Sequence, residues 1–149
     1  MTRTPPRSHP WSPGPAGELP HVAGSLPARA DSVTVLRHRV VDFARRHGVG
    51  RHDRDRIALA ITEAAANVVA HAYPPLQDDG TIRYVADLED GDLQIVVSDD
   101  GAGIRTGHRS RGLGVGLNLI AAMTSEFTIT PREPRGIDLW MRFVLDSAH

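Results

Sequence analysis

Hydrophobic residues between positions 31 and 73 recur every three to four residues, the spacing that predicts helices. Asp31 or Ser32 can cap the first helix, and Gly48 ends it. The second helix covers about residues 53–73, where Pro74-Pro75 stops it. The positions that we expect to face a core are Val33, Leu36, Val40, Phe43 and His47 in the first helix and Ile57, Ile61, Ala64, Val68 and Ala72 in the second.

The remaining apolar positions alternate with polar ones, which predicts strands. An Asp90-Gly91 turn joins two strands into a hairpin. A polar, glycine-rich loop over about residues 100–111 and a helix over about residues 114–123 separate this hairpin from the last two strands. The predicted strands are His21–Leu26, Thr81–Glu89, Asp92–Ser98, Glu126–Thr130 and Gly136–Leu145. This order predicts an α+β fold, a two-layer sandwich in which helices cover one face of a single sheet.

The composition favours one compact domain preceded by a tail. The chain has 149 residues, of which 40% are hydrophobic, and this is enough for one core. Residues 1–18 are rich in proline and glycine, so we expect a disordered tail there and a folded domain over residues 19–149. The sequence contains no apolar run long enough to span a bilayer and no secretory signal pattern, so we expect a cytoplasmic protein without a membrane partner.

The charge balance and the missing residue types exclude several kinds of chemistry. The net charge of −1 at pH 7 predicts no direct binding of nucleic acid. The absence of cysteine excludes disulfides, thiolate nucleophiles and Cys-ligated zinc. All 17 basic residues are arginine, which excludes a P-loop lysine and Schiff-base chemistry. Any phosphate chemistry must therefore operate without a Walker A loop.

Three segments carry candidate chemistry, and the first, ITEAAANVVAHAY, lies on the second predicted helix. Glu63, Asn67 and His71 follow one another at intervals of four residues and therefore form one stripe. A carboxylate and an amide among alanines and valines are unfavourable to bury without partners. Taken alone, the stripe is either a functional surface or a solvated helix face.

The second segment, DDGAG, begins at Asp99, directly after a predicted buried strand. A carboxylate at the end of such a strand can accept a hydrogen bond from an exocyclic amine. The glycines beside it let a flat ring approach the backbone. A turn also explains these glycines, although a hairpin turn needs only two residues and the loop here continues for longer.

The third segment, RGLGVGL, covers residues 111–117 and opens a predicted helix. Each glycine inside a helix lowers its stability by about 1 kcal/mol, so we expect a role that offsets this loss. Free N–H groups at a helix N-terminus bind phosphate, and glycine lets the phosphate come close. The dinucleotide-binding fingerprint is the rival interpretation, but it requires an apolar strand directly before the glycines, and IRTGHRS is polar.

In this order and spacing, the three segments resemble the boxes of the GHKL ATPase superfamily, whose nucleotide site belongs to the Bergerat fold. The first segment resembles the N box, DDGAGI the G1 box and RGLGVGL the G2 box. The small size and the E-A-x-x-N-x-x-x-H-A-Y form of the N box are similar to the anti-sigma-factor serine/threonine kinases of the RsbW and SpoIIAB type. The resemblance covers about residues 20–145 and implies helices on one face of a mixed sheet.

The resemblance also implies a role for the matching residues of the first two segments. Glu63 would be the catalytic base that acts on the substrate hydroxyl, and Asn67 would hold Mg²⁺ against the triphosphate of ATP. Asp99 would accept a hydrogen bond from the adenine amine. Gly101 and Gly103 would shape the pocket for the base.

The third segment would bind the phosphates of ATP, and its glycines would hinge and line a phosphate lid over about residues 104–113. Three arginines in or beside this lid, Arg105, Arg109 and Arg111, can contact the γ-phosphate, and the sequence does not single out one of them. The residues of the third segment expected to contact ATP are Arg111, Gly112, Leu113, Gly114 and Gly116.

The activity implied by the resemblance is that of an ATP-dependent serine/threonine protein kinase. Such a protein would bind a sigma factor, phosphorylate a STAS-domain anti-sigma antagonist and form a homodimer.

Arg37 matches an arginine on the family's first helix that faces a partner protein, with a plain surface arginine as the alternative. His71 matches a family position where a packed histidine is the alternative. An ATP-binding regulatory module that sequesters a partner without phosphotransfer is the alternative function, and the catalytic fragment of a histidine kinase is a third.

Overall fold

The computed structural model describes residues 21–72, 80–101, 113–133 and 135–146. These ranges contain strands β1 (His21–Pro27), β2 (Thr81–Glu89), β3 (Asp92–Asp99), β4 (Glu126–Pro131) and β5 (Ile137–Val144). They also contain helices α1 (Ala30–Arg46), α2 (Arg51–Asn67) and α3 (Leu113–Met123), none of which is long and apolar enough to cross a membrane. The order of elements is the predicted one. The expected tail, residues 1–18, lies outside the described residues.

The five strands form one sheet in the order β1-β2-β3-β5-β4. All of its strand pairings are antiparallel, so the expectation of a mixed sheet is wrong. The chain crosses from β3 through α3 to β4, which places β4 parallel to β3, but β5 lies between the two. No parallel pair therefore forms among the described strands. The α+β class and the single sheet are confirmed.

One face of the sheet forms the hydrophobic core with the helices. Alternate side chains of the central strands are buried against α1 and α2, as the period-two pattern predicts. The buried strand residues include Ile82, Tyr84 and Ala86 on β2, Leu93, Ile95 and Val97 on β3, and Leu139, Met141 and Phe143 on β5. The helices contribute Leu36, Val40 and Phe43 from α1 and Ile57, Ile61 and Ala64 from α2. On the opposite face, Trp140 Nε1 donates a hydrogen bond of 3.0 Å to Gln94 Oε1.

The start of α1 differs from the prediction, whereas Gly48, with a φ of +83°, follows the last turn as predicted. Neither expected cap is used: Arg29 is the N-cap residue and makes no capping hydrogen bond with its side chain. Asp31 lies in the first turn, where its negative charge interacts favourably with the positive end of the helix dipole. Ser32 is buried. His47 lies just beyond the helix and is exposed instead of facing the core, with its ring centre 4.8 Å from that of Phe43.

The second helix changes geometry within the first candidate segment. It is an α-helix as far as Asn67 and continues as a π-helix over Val68–Ala72. A π-helix has more residues per turn than an α-helix and often occurs at functional sites. The spacing of four residues keeps Glu63 and Asn67 on one face of the α-helical part, and His71 lies in the π-helical part.

Gly24 on β1 leaves room for a buried tyrosine on β2. A Cβ added to Gly24 would lie 2.6 Å from the hydroxyl oxygen of Tyr84, its cross-strand partner. That side chain is 2% exposed, and its hydroxyl accepts a hydrogen bond of 3.0 Å from Arg39 Nη1, so the ring has little freedom to move away.

We therefore expect Gly24→Ala to lower the free energy of unfolding by about 2 kcal/mol through overpacking. Urea denaturation of the purified chain measures this change. Ser25→Ala, on the exposed side of the same strand, is the matched control and should stay within about 0.5 kcal/mol of the wild type. Equal losses in the two variants would show that Tyr84 does not limit the space at Gly24.

Candidate functional site

The first and third candidate segments meet at Gly116 on α3. A Cβ added to Gly116 would lie 3.1 Å from Oε2 of Glu63 and 3.2 Å from Oδ1 of Asn67. Both side chains project from one face of α2 and are partly buried. Contacts of this length are tighter than a side chain normally tolerates, so glycine allows α3 to approach both polar groups. The fold thus joins a carboxylate, an amide and a glycine motif that are distant in the sequence.

The amide of Asn67 has a buried donor with no hydrogen-bond partner. Its Nδ2 atom exposes less than 1 Å² and makes no hydrogen bond. Leaving such a donor unsatisfied costs about 1–3 kcal/mol, which a bound ligand can recover. An orphaned donor beside two oxygen acceptors is typical of a polar binding site, and it does not fit the alternative of a solvated helix face.

Asn67 also offers an oxygen that fits a magnesium ion, provided that other oxygens complete its coordination. Oδ1 of Asn67 lies next to Gly116, beside Oε2 of Glu63, and Mg²⁺ prefers oxygen ligands of this kind. In the part of the chain that the structure describes, no group of three His, Asp or Glu residues could hold a metal ion. Mg²⁺ is commonly bound by one or two side chains together with substrate phosphates. The residues present therefore fit an ion that arrives with a phosphate chain.

Asp99 occupies the end of β3 and is 2% exposed. Its Oδ1 accepts a hydrogen bond of 3.0 Å from the backbone N–H of Gly101, and the backbone N–H of Ile137 on β5 also donates to the carboxylate. These two backbone donors fix its orientation. Because β3 contacts the π-helix that follows Asn67, the carboxylate belongs to the same region of the fold as the first segment.

Burial raises the pKa of Asp99 above the ordinary value of 3.8. The hydrogen bond from Gly101 opposes this effect, the neighbouring charge of Asp100 adds to it, and Ile137 and Arg132 oppose it again. The folded chain therefore keeps a carboxylate where its surroundings disfavour the charged form. A carboxylate kept in such surroundings is a candidate functional group.

Gly136 is a site residue that the sequence reasoning missed. It has a φ of +105°. A Cβ added to it would collide with the carbonyl oxygen of Asp99 and lie 2.9 Å from Cα of Asp100. Only glycine allows the backbone before β5 to approach the Asp99 turn so closely. Glycine before a strand is an ordinary turn signal, and the sequence contains no sign that this turn packs on Asp99.

Several predicted site residues cannot be compared with the structure. Gly103, Arg111 and Gly112 lie outside the described residues, as does nearly all of the predicted lid over residues 104–113. Leu113 and Gly114 form the first turn of α3, as predicted for the opening of this helix. Arg37 lies on α1 and is partly exposed, and its contact with a partner protein stays a prediction.

Comparison with known protein families gives a match over most of the chain. The family model of the histidine kinase-like ATPase domain matches residues 26–143. The serine-protein kinase RsbW of Bacillus thuringiensis (strain Al Hakam) is 34% identical over 89 residues, which are 60% of this chain and 54% of that protein. RsbW of Bacillus mycoides (strain KBAB4) is 37% identical over 76 residues, which are 51% of this chain and 46% of that protein. The chain thus spans about half the length of the curated relatives that it matches.

Two solved structures share the fold. The structure of the RsbU and RsbW domains of Rv1364c from Mycobacterium tuberculosis matches with a TM-score of 0.68 and 24% identity, covering 85% of this chain and 32% of that one. The histidine kinase domain of the blue-light activated histidine kinase from Erythrobacter litoralis EL346 matches with a TM-score of 0.55 and 18% identity, covering 80% of this chain and 62% of that one. At these identities the matches show the fold alone, and they agree with the ATPase fold that the three motifs imply.

Proposed function

Because the chain belongs to the histidine kinase-like ATPase domain family, we propose that it binds ATP with Mg²⁺ and transfers the γ-phosphate to a serine or threonine hydroxyl of another protein. The observation that carries this proposal is the meeting of Glu63 and Asn67 at Gly116. There a carboxylate suited to general-base work lies beside an amide oxygen suited to magnesium. The relatives named serine-protein kinase support the same activity.

In this proposal each end of the nucleotide has its own group of residues. Asp99, held by the N–H groups of Gly101 and Ile137, accepts a hydrogen bond from the adenine amine. Asn67 would hold Mg²⁺, which would supply positive charge at the phosphates. The backbone of the RGLGVGL segment, which includes Gly116, carries the phosphate chain on the N-terminal end of α3.

The transfer itself needs positioning, charge neutralisation and one proton acceptor. The substrate hydroxyl oxygen bonds to the γ-phosphorus while the bond from that phosphorus to the β–γ bridging oxygen breaks, and ADP leaves. The hydroxyl proton passes to the carboxylate of Glu63. The chain has no lysine, so arginines and backbone N–H groups must provide the remaining positive charge.

The partners that we propose are a sigma factor and a STAS-domain antagonist that carries the phosphorylated hydroxyl. The form of the first motif, which is similar to the anti-sigma-factor kinases, supports this choice, and so do the RsbW relatives. Arg37 on α1 is the residue proposed to contact a partner. We also propose a homodimer and a cytoplasmic location, in line with the same resemblance.

The proposed site predicts a specific pattern of nucleotide binding. Isothermal titration of the purified chain should give heat with ATP and excess Mg²⁺ but none with Mg²⁺ alone, because the described residues offer too few ligands for the free ion. GTP should bind at least about tenfold more weakly, since it presents a carbonyl oxygen where adenine presents an amine to Asp99. Absence of heat from ATP with Mg²⁺ would refute the proposed site, and equal affinities would refute the role of Asp99.

A further inference from the structure

Arg56 on α2 connects the nucleotide site to the far end of α3. The two helices, α2 and α3, pack against each other, and their contacts at Met123 and Gly116 show that they run in opposite directions. Near the start of α2, Arg56 Nε donates a hydrogen bond of 3.1 Å to the carbonyl oxygen of Met123, the last residue of α3. About two turns later along α2 comes Glu63, and about two turns earlier along α3 comes Gly116, a distance of roughly 10 Å along each helix.

These two contacts therefore set one helix register. Because the residues are equally spaced along both helices, Gly116 meets Glu63 only when Met123 lies beside Arg56. A slip of α3 by one residue would move Gly116 by about 1.5 Å and bring a residue with a side chain toward Glu63 and Asn67. The approach at Gly116 has no room for such a side chain.

Arg56 is itself held rigidly, so it can serve as the fixed point of this register. Its Nη1 donates a hydrogen bond of 2.6 Å to Oδ1 of Asp53, and its guanidinium lies 5.9 Å from the ring centre of Phe143 on β5. Asp53 is 2% exposed, and its Oδ2 accepts a hydrogen bond of 2.9 Å from the backbone N–H of Asp146. Arg56 is thus tied to α2 and to the chain around β5 while its Nε holds α3.

The N-terminal end of α3 depends on this anchor at Met123, because the residues of that end have a low helix propensity. The first half of the helix contains Gly114 and Gly116, and each glycine lowers helix stability by about 1 kcal/mol relative to alanine. The chain just after α3 has its own attachment to β5, since the backbone N–H of Ser125 donates to the carbonyl oxygen of Arg142. Loss of the Arg56 side chain should therefore shift α3 without unfolding the domain.

We propose that Arg56 is a positioning residue of the nucleotide site, which acts by fixing the register of α3 against Glu63 and Asn67. This inference rests on the proposed function, because its effect is measured as nucleotide affinity. Arg56 makes no contact with Glu63, Asn67 or Gly116 of its own and acts only through the helix.

The first experiment compares single variants by ATP titration with Mg²⁺. Arg56→Met keeps the apolar stem over Phe143 but removes both hydrogen bonds. We expect it to weaken ATP binding about tenfold, the effect of displacing a binding group by less than about 1 Å. Arg56→Lys should restore part of the affinity. Arg142→Met is the matched control: this arginine is also partly buried and paired with carboxylates, but on the opposite face of the sheet, so its affinity should stay within about twofold of the wild type.

The second experiment distinguishes a positioning role from a general loss of stability. Gly116→Ala crowds Glu63 and Asn67 directly, so its effect on ATP affinity should be non-additive with that of Arg56→Met if both act on one register. The effects of Gly116→Ala and Arg142→Met on ATP affinity should be additive. Additivity in both pairs, or an Arg56→Met variant that is folded by circular dichroism and binds ATP like the wild type, overturns the inference. Failure of the wild type to bind ATP overturns the proposed function instead.

Discussion

Glu63→Gln should lower phosphoryl transfer to a STAS-domain substrate by about a thousandfold while leaving ATP affinity within about threefold of the wild type. The amide keeps the size of the side chain and an oxygen near Gly116, so the contacts of the site survive. It cannot accept the proton of the attacking hydroxyl, because an amide is not a base near neutral pH. Labelled ATP and gel separation measure the transfer, and calorimetry measures the binding.

Glu133→Gln is the matched control, since Glu133 is an exposed carboxylate in the β4–β5 connection. We expect it to leave both transfer and binding unchanged. Transfer by Glu63→Gln at the wild-type rate would exclude a general base at this position. The alternative function, an ATP-binding module without phosphotransfer, would be favoured by a different result. In that case the wild-type chain binds ATP tightly and regulates its partner but transfers no phosphate to any STAS-domain protein.

Asp99→Asn should weaken ATP binding by at least about a hundredfold and, at neutral pH, make the nucleotide-free chain more stable. The backbone N–H of Gly101 donates to Oδ1, and an asparagine that keeps this hydrogen bond carries its NH₂ group in place of Oδ2, toward the adenine amine. Two donors then face each other. A buried polar mismatch of this kind typically changes selectivity by several orders of magnitude.

The stability gain follows from the direction of the pKa shift. Burial raises the pKa of Asp99 in the folded chain above 3.8, so ionised Asp99 disfavours folding. The stability associated with its protonated form is fully present below about pH 3.8 and is lost as the pH rises through the raised pKa of the folded state. Asparagine does not ionise, and the advantage of Asp99→Asn should therefore be absent at low pH and grow to a constant value above that pKa.

Urea denaturation across this pH range, without nucleotide, measures the stability difference. Asp100→Asn is the control, because the neighbouring Asp100 side chain is 52% exposed and should change ATP affinity and stability little. A loss of stability in Asp99→Asn at neutral pH would mean that the charge of Asp99 supports the fold. Unchanged ATP affinity would remove Asp99 from the proposed base site.

The local periodicities of the sequence predicted most of the elements. The alternation on β3 and β5 and the apolar spacing of α2 mark the same buried residues in the structure, such as Ile95, Met141 and Ile61. The ends of elements were less predictable. At the start of α1, Arg29 precedes the helix without a side-chain cap, although Asp31 and Ser32 are the residue types that normally fill this position.

Part of the candidate site could also be predicted, because its chemistry is concentrated in short motifs. The four-residue spacing of Glu63 and Asn67 places both on one helix face, and Asp99 follows a strand whose burial is evident from its composition. The sequence gives no sign of Gly136 or Arg56, since each looks ordinary in its own segment. Their roles arise from contacts with Asp99 and Met123, which are distant along the chain.

Hydrophobic periodicity and local steric preference act over a few residues, and the sequence by itself therefore determined the class of the fold, its helices and strands, and the motifs that carry polar groups. Tertiary packing decided that β5 lies between β3 and β4, so that every described strand pair is antiparallel. It also decided that α3 approaches α2 at Gly116, and that α2 continues as a π-helix after Asn67. The physical reason is that these features depend on which surfaces pack together. The free energy of packing depends on both contacting segments and cannot be read from either segment alone.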